Sequence, residues 1–489
     1  MTHLTPEDVL LWGSLLLTLC VIASKASARF GIPTLILFVA VGMLAGSESF
    51  GGIPFDDPAA AQFIGVIALI AILFSGGLDT RFDVVRPAFG PGLTLATVGV
   101  LATMLLLGLG AWLVLPISPL EGILIGAVVA STDAAAVFGQ LKAQRLELKG
   151  RVAATLEVES GTNDPLAYLM TVTFTAAVAA KHLDLAPAIG RVALQLALGG
   201  AMGWAFGKVS AWLLNRLRLE VEGLYPVLCI GLAGLAYTLT DHAGGNGFLA
   251  VYLVGLVLGN SDLIRKQTLV HFFDGLAWLM QAVLFLALGL LVFPSQLGEV
   301  LVPGLALSAM LVFVVRPIAV GLSLLPFRFA RVERVFIAWA GLRGAVPIVF
   351  ATYPLMSGLP VGRLVFNLVF FISLTSVLVQ GWSMPWLAHR LGLVRPPDEG
   401  VPPEHPAFRA RRHRCEIQVD ARSPALGTTL LSQHLPHGLW VTLIERADGR
   451  FIVPDGRTVI EPGDCLTLTA ESEVDLEVGR VRFGLPARG

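Results

Sequence analysis

Apolar stretches separated by short polar loops recur along the chain as far as Arg395. They run at roughly 8–24, 31–47, 60–78, 91–115, 119–139, 152–180, 187–214, 222–240, 247–260, 270–292, 299–325, 332–356 and 362–388. Most are long enough for a helix to cross a hydrocarbon core, which takes about 20 residues. The pattern predicts an all-α polytopic membrane protein of about thirteen transmembrane helices. The ninth stretch is short for a full crossing, which admits a tilted or partly re-entrant segment.

Two spans are interrupted. The fifth carries Ser131-Thr132-Asp133 at its middle, and the twelfth is weakened by Gly341, Gly344 and Pro347 around Arg343. If spans one to six and eight to thirteen form two repeats, both breaks fall at the fifth position, and span seven makes the second repeat inverted. Matching broken helices in two inverted halves point to the midplane site of a transporter.

Composition agrees with the pattern: of 489 residues, 55% are apolar and 14% are charged. So much apolar surface suits a membrane bundle better than a soluble core. A net charge of −1 gives no footprint for nucleic acid. The cysteines (Cys20, Cys229, Cys415 and Cys465) are scattered without a CxxC, so they suggest neither a metal site nor a disulfide framework. Glu7 and Asp8, with no basic residue before them, precede the first apolar run; this predicts an uncleaved first span rather than a signal peptide. Lys and Arg crowd alternate loops, among them Lys25, Arg29, Arg81, Arg86, Lys142, Arg145, Lys149, Arg151, Arg216, Arg218, Arg265, Lys266, Arg328, Arg331, Arg334, Arg390 and Arg395. The opposite loops hold little beyond Lys181, Arg191 and Arg363. The positive-inside rule then puts the N-terminus outside and the C-terminus in the cytoplasm of a cell with its inner, plasma membrane as host.

Three domains are expected: a transmembrane exchange domain over 1–395, a Pro- and charge-rich linker over 396–412, and a small α/β module over 413–489. Short strands are predicted in the module at Trp440–Glu445, Phe451–Val453, Thr458–Ile460 and Cys465–Thr469. Asp448-Gly449, Asp455-Gly456 and Pro462-Gly463-Asp464 separate them.

The candidate chemistry lies in span six, where Glu157, Glu159, Ser160, Asn163 and Asp164 fall within eight residues. A carboxylate at bilayer depth costs about 2.5–3.5 kcal/mol on insertion scales, and usually marks an ion or proton route. At 100° per residue, Ser160 and Asp164 share one face, with Glu157 a turn further back; Glu159 and Asn163 share another. Asp164, beside Ser160 and in reach of Thr132, reads as the group that holds a proton or a dehydrated monovalent cation. Glu159 is expected to pair with Arg343, because an unpaired buried guanidinium is costly, with Asn163 hydrogen-bonded beside them. Asp133 reads either as a cation ligand or as the cap of a half-helix N-terminus. Glu157 belongs to the ion route or to a cytoplasmic funnel. Arg316-Pro317 is expected near the cytoplasmic half of its span or at a helix contact, and His182, His242 and His271 at span ends.

Thr132-Asp133, then Glu159-Ser160-Gly161-Thr162-Asn163-Asp164-Pro165, then Gly341-Leu342-Arg343-Gly344 resemble the monovalent cation:proton antiporter superfamily in its NhaP-type branch. The resemblance covers the whole membrane region. It implies a homodimer in which a six-helix core moves past a dimerisation domain, and one-for-one electroneutral exchange where Asn-Asp stands in place of Asp-Asp. It assigns Asp164 as carrier of cation and proton, Thr132 and Ser160 as its neighbours, and Glu159 with Arg343 as a structural ion pair. Ser160-Gly161-Thr162 before Asn163-Asp164, and Pro165 after it, look most like the K+/H+ members, with Na+/H+ antiport the alternative. No cofactor is implied beyond the transported ions. The tail, from Gly427-Thr428-Thr429-Leu430 through Pro436, Pro454 and Gly463-Asp464, resembles TrkA-C-type modules, which can dimerise and in some relatives bind small regulatory ligands. The rival classes are weaker. A K+ channel with a cytoplasmic regulatory domain lacks its TVGYG-type filter here, and an intramembrane hydrolase lacks HExxH and GxSxG. The chain therefore reads as a transporter and not an enzyme.

Overall fold

The computed structural model describes residues 5–30, 33–144, 146–217, 219–395, 413–419, 423–433, 435, 439–452, 454–470 and 473–483. The expected linker 396–412, together with Arg145, Arg218, Pro436 and Val453, lies outside them. Two compact units divide between Arg395 and Pro396.

The first unit is helical. In chain order its helices are α1 (Pro6–Phe30), α2 (Thr34–Ala45), α3 (Pro58–Asp79), α4 (Phe82–Val114), α5 (Pro119–Val129), α6 (Ala134–Ala143), α7 (Gly150–Ala180) and α8 (Leu185–Leu217). They are followed by α9 (Leu224–His242), α10 (Gly247–Gly259), α11 (Lys266–Leu291), α12 (Pro294–Ser323), α13 (Arg331–Trp339), α14 (Ala345–Met356) and α15 (Gly362–Arg390). Among the described residues, eight stretches are long and apolar enough to cross a membrane: α3, α4, α5 with α6, α8, α9, α11, α12 and α15. Shorter apolar helices fall at Leu10–Lys25, Thr34–Ala45, Gly247–Gly259 and Ala345–Met356. A two-stranded ribbon of β1 (Glu147–Leu148) and β2 (Val394–Arg395) ties the entry of α7 to the exit of α15.

Small residues let these helices approach closely, as membrane packing favours. Gly199, Gly203 and Gly207 recur every fourth residue along α8 and face α10, where a Cβ on Gly203 would stand 2.7 Å from the Cα of Ala250. On the other side of α10, Gly255 and Gly259 lie against the backbone of α3. The short tenth helix is therefore buried over most of its length, and its 13 residues form a core element between longer neighbours.

Helix α7, 31 residues long, tolerates its threonines because they are satisfied locally. The hydroxyls of Thr155, Thr162, Thr171 and Thr175 each donate to the carbonyl four residues back. Pro165 lies inside the helix and has no N–H, so the carbonyl of Gly161 loses its helical donor. Three helices carry a π-helical turn: Leu95–Gly99 in α4, Leu311–Val315 in α12 and Val377–Gly381 in α15. Such turns re-aim side chains and gather at functional sites.

The second unit is a four-stranded antiparallel sheet in the order β3 (His413–Gln418), β6 (Cys465–Ala470), β4 (Leu439–Glu445) and β5 (Phe451–Ile452), followed by α16 (Glu473–Arg482). Ile417, Leu439, Ile444, Leu466, Leu468 and Phe483 form its core. The expected strand at Thr458–Ile460 is not part of the sheet. It pairs with the turn before a short 3-10 helix, where Leu430 N donates to Thr458 O at 3.1 Å and Ile460 N to Thr428 O at 3.1 Å. That pairing is too short to make a strand. The sequence pattern missed β3, whose residues open the expected module but were given no strand.

Candidate functional site

Two unwound segments meet at the centre of the first unit. Residues 130–133 separate α5 from α6, and residues 340–344 separate α13 from α14. Asp133 N donates to Leu342 O at 2.8 Å and joins them. Each break strands backbone groups that would otherwise bond within a helix, and side chains from α7 and α15 take them up. Ser160 Oγ donates to Thr132 O and accepts from Ala134 N, both at 3.1 Å. Gln380 Nε2, on the π-helical turn of α15, donates to Trp339 O at 2.8 Å, and Ser376 Oγ accepts from Arg343 N at 2.9 Å. Gly344 leaves no space for a side chain, because a Cβ there would collide with Asp133 Oδ2.

Asp164 projects from α7 into this crossing and is 6% exposed. Ser131 Oγ donates to its Oδ1. The sequence singled out Thr132 and Ser160 as neighbours of Asp164, and both are in the cluster, but with other partners. Thr132 Oγ1 accepts from Asn163 Nδ2 at 2.5 Å, and Ser160 supports the broken backbone. Asp133 caps α6 through Oδ1, which accepts from Ala136 N at 2.9 Å. With Oδ2 against Gly344, its carboxylate serves the positive ends of both half-helices.

The expected Glu159–Arg343 pair is corrected by the geometry. Glu159 Oε1 pairs with Arg316 Nη1 at 2.6 Å, and both side chains are buried. Arg343, fully buried, turns instead onto its own segment and donates from Nη1 to Gly341 O at 2.6 Å. The reason is packing: Arg316 follows the π-helical turn of α12, and its guanidinium fills the space that a Cβ on Gly341 would need. Arg316, expected near the cytoplasmic half of its span or at a helix contact, is part of the buried centre. Among the described residues Glu159 Oε2, Asn163 Oδ1 and Arg343 Nε and Nη2 are buried with no hydrogen-bond partner.

Sequence reasoning undervalued three residues. Ser131 stood in the quoted break but was not assigned to Asp164. Arg316 was visible as an arginine within an apolar span, the signal that marks function in membranes. Gln380 was one of several polar residues in span thirteen, with no spacing that set it apart. His182, His242 and His271 are exposed, as expected of residues at span ends.

Chemically, the crossing offers the carboxylate of Asp164, with the helix-capping carboxylate of Asp133 and the hydroxyls of Ser131, Thr132 and Ser160 near it. Oxygen donors of this kind suit hard cations, and the Asp164 carboxylate can hold a proton instead.

Residues 14–390 match the family described as sodium/hydrogen exchanger, transmembrane, and residues 415–475 match the TrkA-C domain. A K(+)/H(+) antiporter NhaP from Alkalimonas amylolytica is 43% identical over 393 residues, covering 80% of this chain and 68% of its own. A K(+)/H(+) antiporter NhaP2 from Shewanella baltica is 40% identical over 472 residues, or 94% of this chain and 80% of its own. The structure of the sodium proton antiporter MjNhaP1 from Methanocaldococcus jannaschii superposes with a TM-score of 0.69 at 25% identity. It covers 79% of this chain and 99% of that one.

Proposed function

The chain belongs to the sodium/hydrogen exchanger family, and from that premise we propose that it is a secondary active antiporter exchanging K+ for H+, one for one, across the plasma membrane. The observation that carries the reading is the buried carboxylate of Asp164 at the crossing of two broken helices, where the neighbouring Asp133 is taken up as a helix cap. Proton and cation compete for Asp164, so either loaded form is neutral. An empty carboxylate is charged and is held back from crossing. Thr132, Ser160, Asp133 and Asn163 shape the cation site around Asp164, with Ser131 added by the geometry.

The helices favour thirteen crossings arranged as inverted repeats. The breaks occupy the fifth span of each half, and the π-helical turns of α4 and α12 occupy the fourth. The basic loops favour an outside N-terminus and a cytoplasmic tail. The protein works as a homodimer in the bilayer, and its domains follow the division 1–395, 396–412 and 413–489. Potassium is favoured by relatives of 40 and 43% identity named as K(+)/H(+) antiporters. Sodium is the second reading, on the strength of a 29% identical Na(+)/H(+) antiporter 1 from Methanocaldococcus jannaschii.

Proteoliposomes with an imposed pH gradient test this directly. Addition of K+ or Rb+ is expected to dissipate the gradient, with much smaller responses to Na+ and Li+ and no dependence on membrane potential. A response to Na+ and Li+ alone would move the assignment to sodium, and a potassium flux without proton counterflow would support a channel.

The tail is proposed as a regulator, open to a small ligand. Truncation after Arg395 removes no helix of the first unit and no proposed ligand of the ion. Exchange is therefore expected to continue in the truncated dimer, with a changed dependence on pH or ligand. A linked module biases transport only through unequal affinity for two states. Complete loss of exchange in a folded truncated dimer would show that the tail is part of the transport machinery.

A further inference from the structure

The second break opens a hydrogen bond that a continuous helix would make. Were α13 to run unbroken into α14, Arg343 N would donate to the carbonyl four residues back, that of Trp339. Two side chains of α15 are spliced between them instead. Arg343 N donates to Ser376 Oγ at 2.9 Å, and Ser376 Oγ donates in turn to Gln380 Oε1. Gln380 Nε2 then donates to Trp339 O at 2.8 Å and completes the circuit. Both side chains are buried, and Gln380 stands on the π-helical turn Val377–Gly381.

The direction of every proton in this circuit is fixed. Trp339 O can only accept, so the amide must turn its nitrogen toward it and its oxygen toward Ser376. Ser376 has one proton, and with Oγ already accepting from Arg343 N that proton goes to Gln380. A side chain at 380 without both a donor and an acceptor leaves a buried end open. The grip extends to the indole of Trp339, whose Nε1 donates to Ser383 Oγ at 2.9 Å. Helix α15 thus holds the last residue of α13 by its ring and by its carbonyl.

Hydrogen bonds carry this hold to the ion site. Leu342 lies between the two clamped residues, and its carbonyl accepts from Asp133 N at 2.8 Å. Just before Asp133, Thr132 Oγ1 accepts from Asn163 Nδ2 at 2.5 Å, and Ser131 Oγ donates to Asp164 Oδ1. If Arg343 N rejoined Trp339 O directly, residues 339–343 would close into a helical turn. Leu342 O would then lie along that helix axis, away from Asp133 N.

Resting on the antiporter reading, we infer that Ser376 and Gln380 are positioning residues for exchange: they hold the second break open, and so set the geometry around Asp164. They act through the backbone of both breaks. Their effect is on how well the cation is held, while Asp164 alone trades it for a proton.

The experiment compares wild type, Gln380→Met, Ser376→Ala, the double variant, Ser376→Thr and Thr375→Val as full-length protein in proteoliposomes. K+-driven proton flux is read against K+ concentration, with melting temperature in parallel. Methionine keeps the length of glutamine and makes neither bond, and alanine removes the hydroxyl. Each is expected to raise the half-saturating K+ concentration by about three- to tenfold, the equilibrium factor of one net hydrogen bond. The maximal rate is expected to stay within about twofold. The double variant is expected to match the worse single one, because both cuts open the same circuit. Ser376→Thr keeps the hydroxyl and is expected to restore the wild-type value. Thr375→Val is the control, since that hydroxyl donates to Phe371 O at 2.8 Å within its own helix; its half-saturation is expected to equal that of wild type. Either single variant reads the circuit by itself if the other fails to fold. Wild-type half-saturation in the folded single variants, whatever their melting temperatures, would overturn the positioning role. Effects that multiply in the double variant would overturn the shared circuit. Wild type that exchanges protons for no cation would instead sink the antiporter reading itself.

Discussion

Asp164→Asn is expected to reduce exchange to the level of protein-free liposomes while the protein still purifies folded. The amide keeps the shape of the carboxylate, and its oxygen still accepts from Ser131 Oγ, so the crossing of the two breaks has no reason to come apart. What disappears is the change of charge. With aspartate, the proton-loaded and cation-loaded states are both neutral, and only the empty state places an uncompensated charge in the membrane interior, at a cost of about 2.5–3.5 kcal/mol or more. With asparagine, the empty state is neutral and the cation-loaded one is charged, so the order of costs inverts and no proton is carried at all. Proton flux driven by K+, and K+ flux driven by a pH gradient, measure both directions of that loss. Near-normal exchange in either direction would remove Asp164 from the centre of the mechanism.

Most of this site could be read from residues. The cluster on α7 was visible because acids in an apolar helix are conspicuous, and the two breaks were visible because polar or glycine-rich runs interrupt otherwise continuous spans. The partners were harder to assign. Sequence spacing places Ser160 and Asp164 on one helix face, but it cannot tell which of Ser131 and Thr132, adjacent in an unwound segment, turns its hydroxyl toward the acid. Outside regular helix the 100° rule that ordered α7 has no force. The arginines show the same limit. Arg343 sits in the motif and Arg316 does not, yet a π-helical turn in α12 aims Arg316 at Glu159, and one inserted residue in the hydrogen-bond ladder leaves no mark in the hydrophobic pattern. In the tail, β3 was missed because its polar residues merge with the charged run before it. In a two-sided sheet edge the apolar alternation is short, and only the pairing with β6 defines the strand.

Glu159→Ala is expected to lower the melting temperature far more than Asp164→Asn, because it removes the one acid that faces two buried guanidinium groups. Breaking a buried pair by deleting one partner typically costs about 3–5 kcal/mol, since the other charge is left without compensation. Here two cations, Arg316 and Arg343, would be left to face each other in a site from which water is excluded. The geometry makes a sharper claim about which arginine is the partner. In double-mutant cycles with Arg316→Met and Arg343→Met, the coupling of Glu159 to Arg316 is expected to exceed its coupling to Arg343, because only Arg316 meets the carboxylate directly, at 2.6 Å. The coupling to Arg343 is expected to be smaller but not zero, since Glu159 Oε2 and Arg343 Nη2 are both unpartnered and share the same low-dielectric pocket. Equal stability of the Glu159 and Asp164 variants would argue that Glu159 is not the keystone of the charge cluster. A larger coupling to Arg343 would return the ion pair to the arrangement that the motif alone suggests, and would make Arg316 a neighbour rather than a partner.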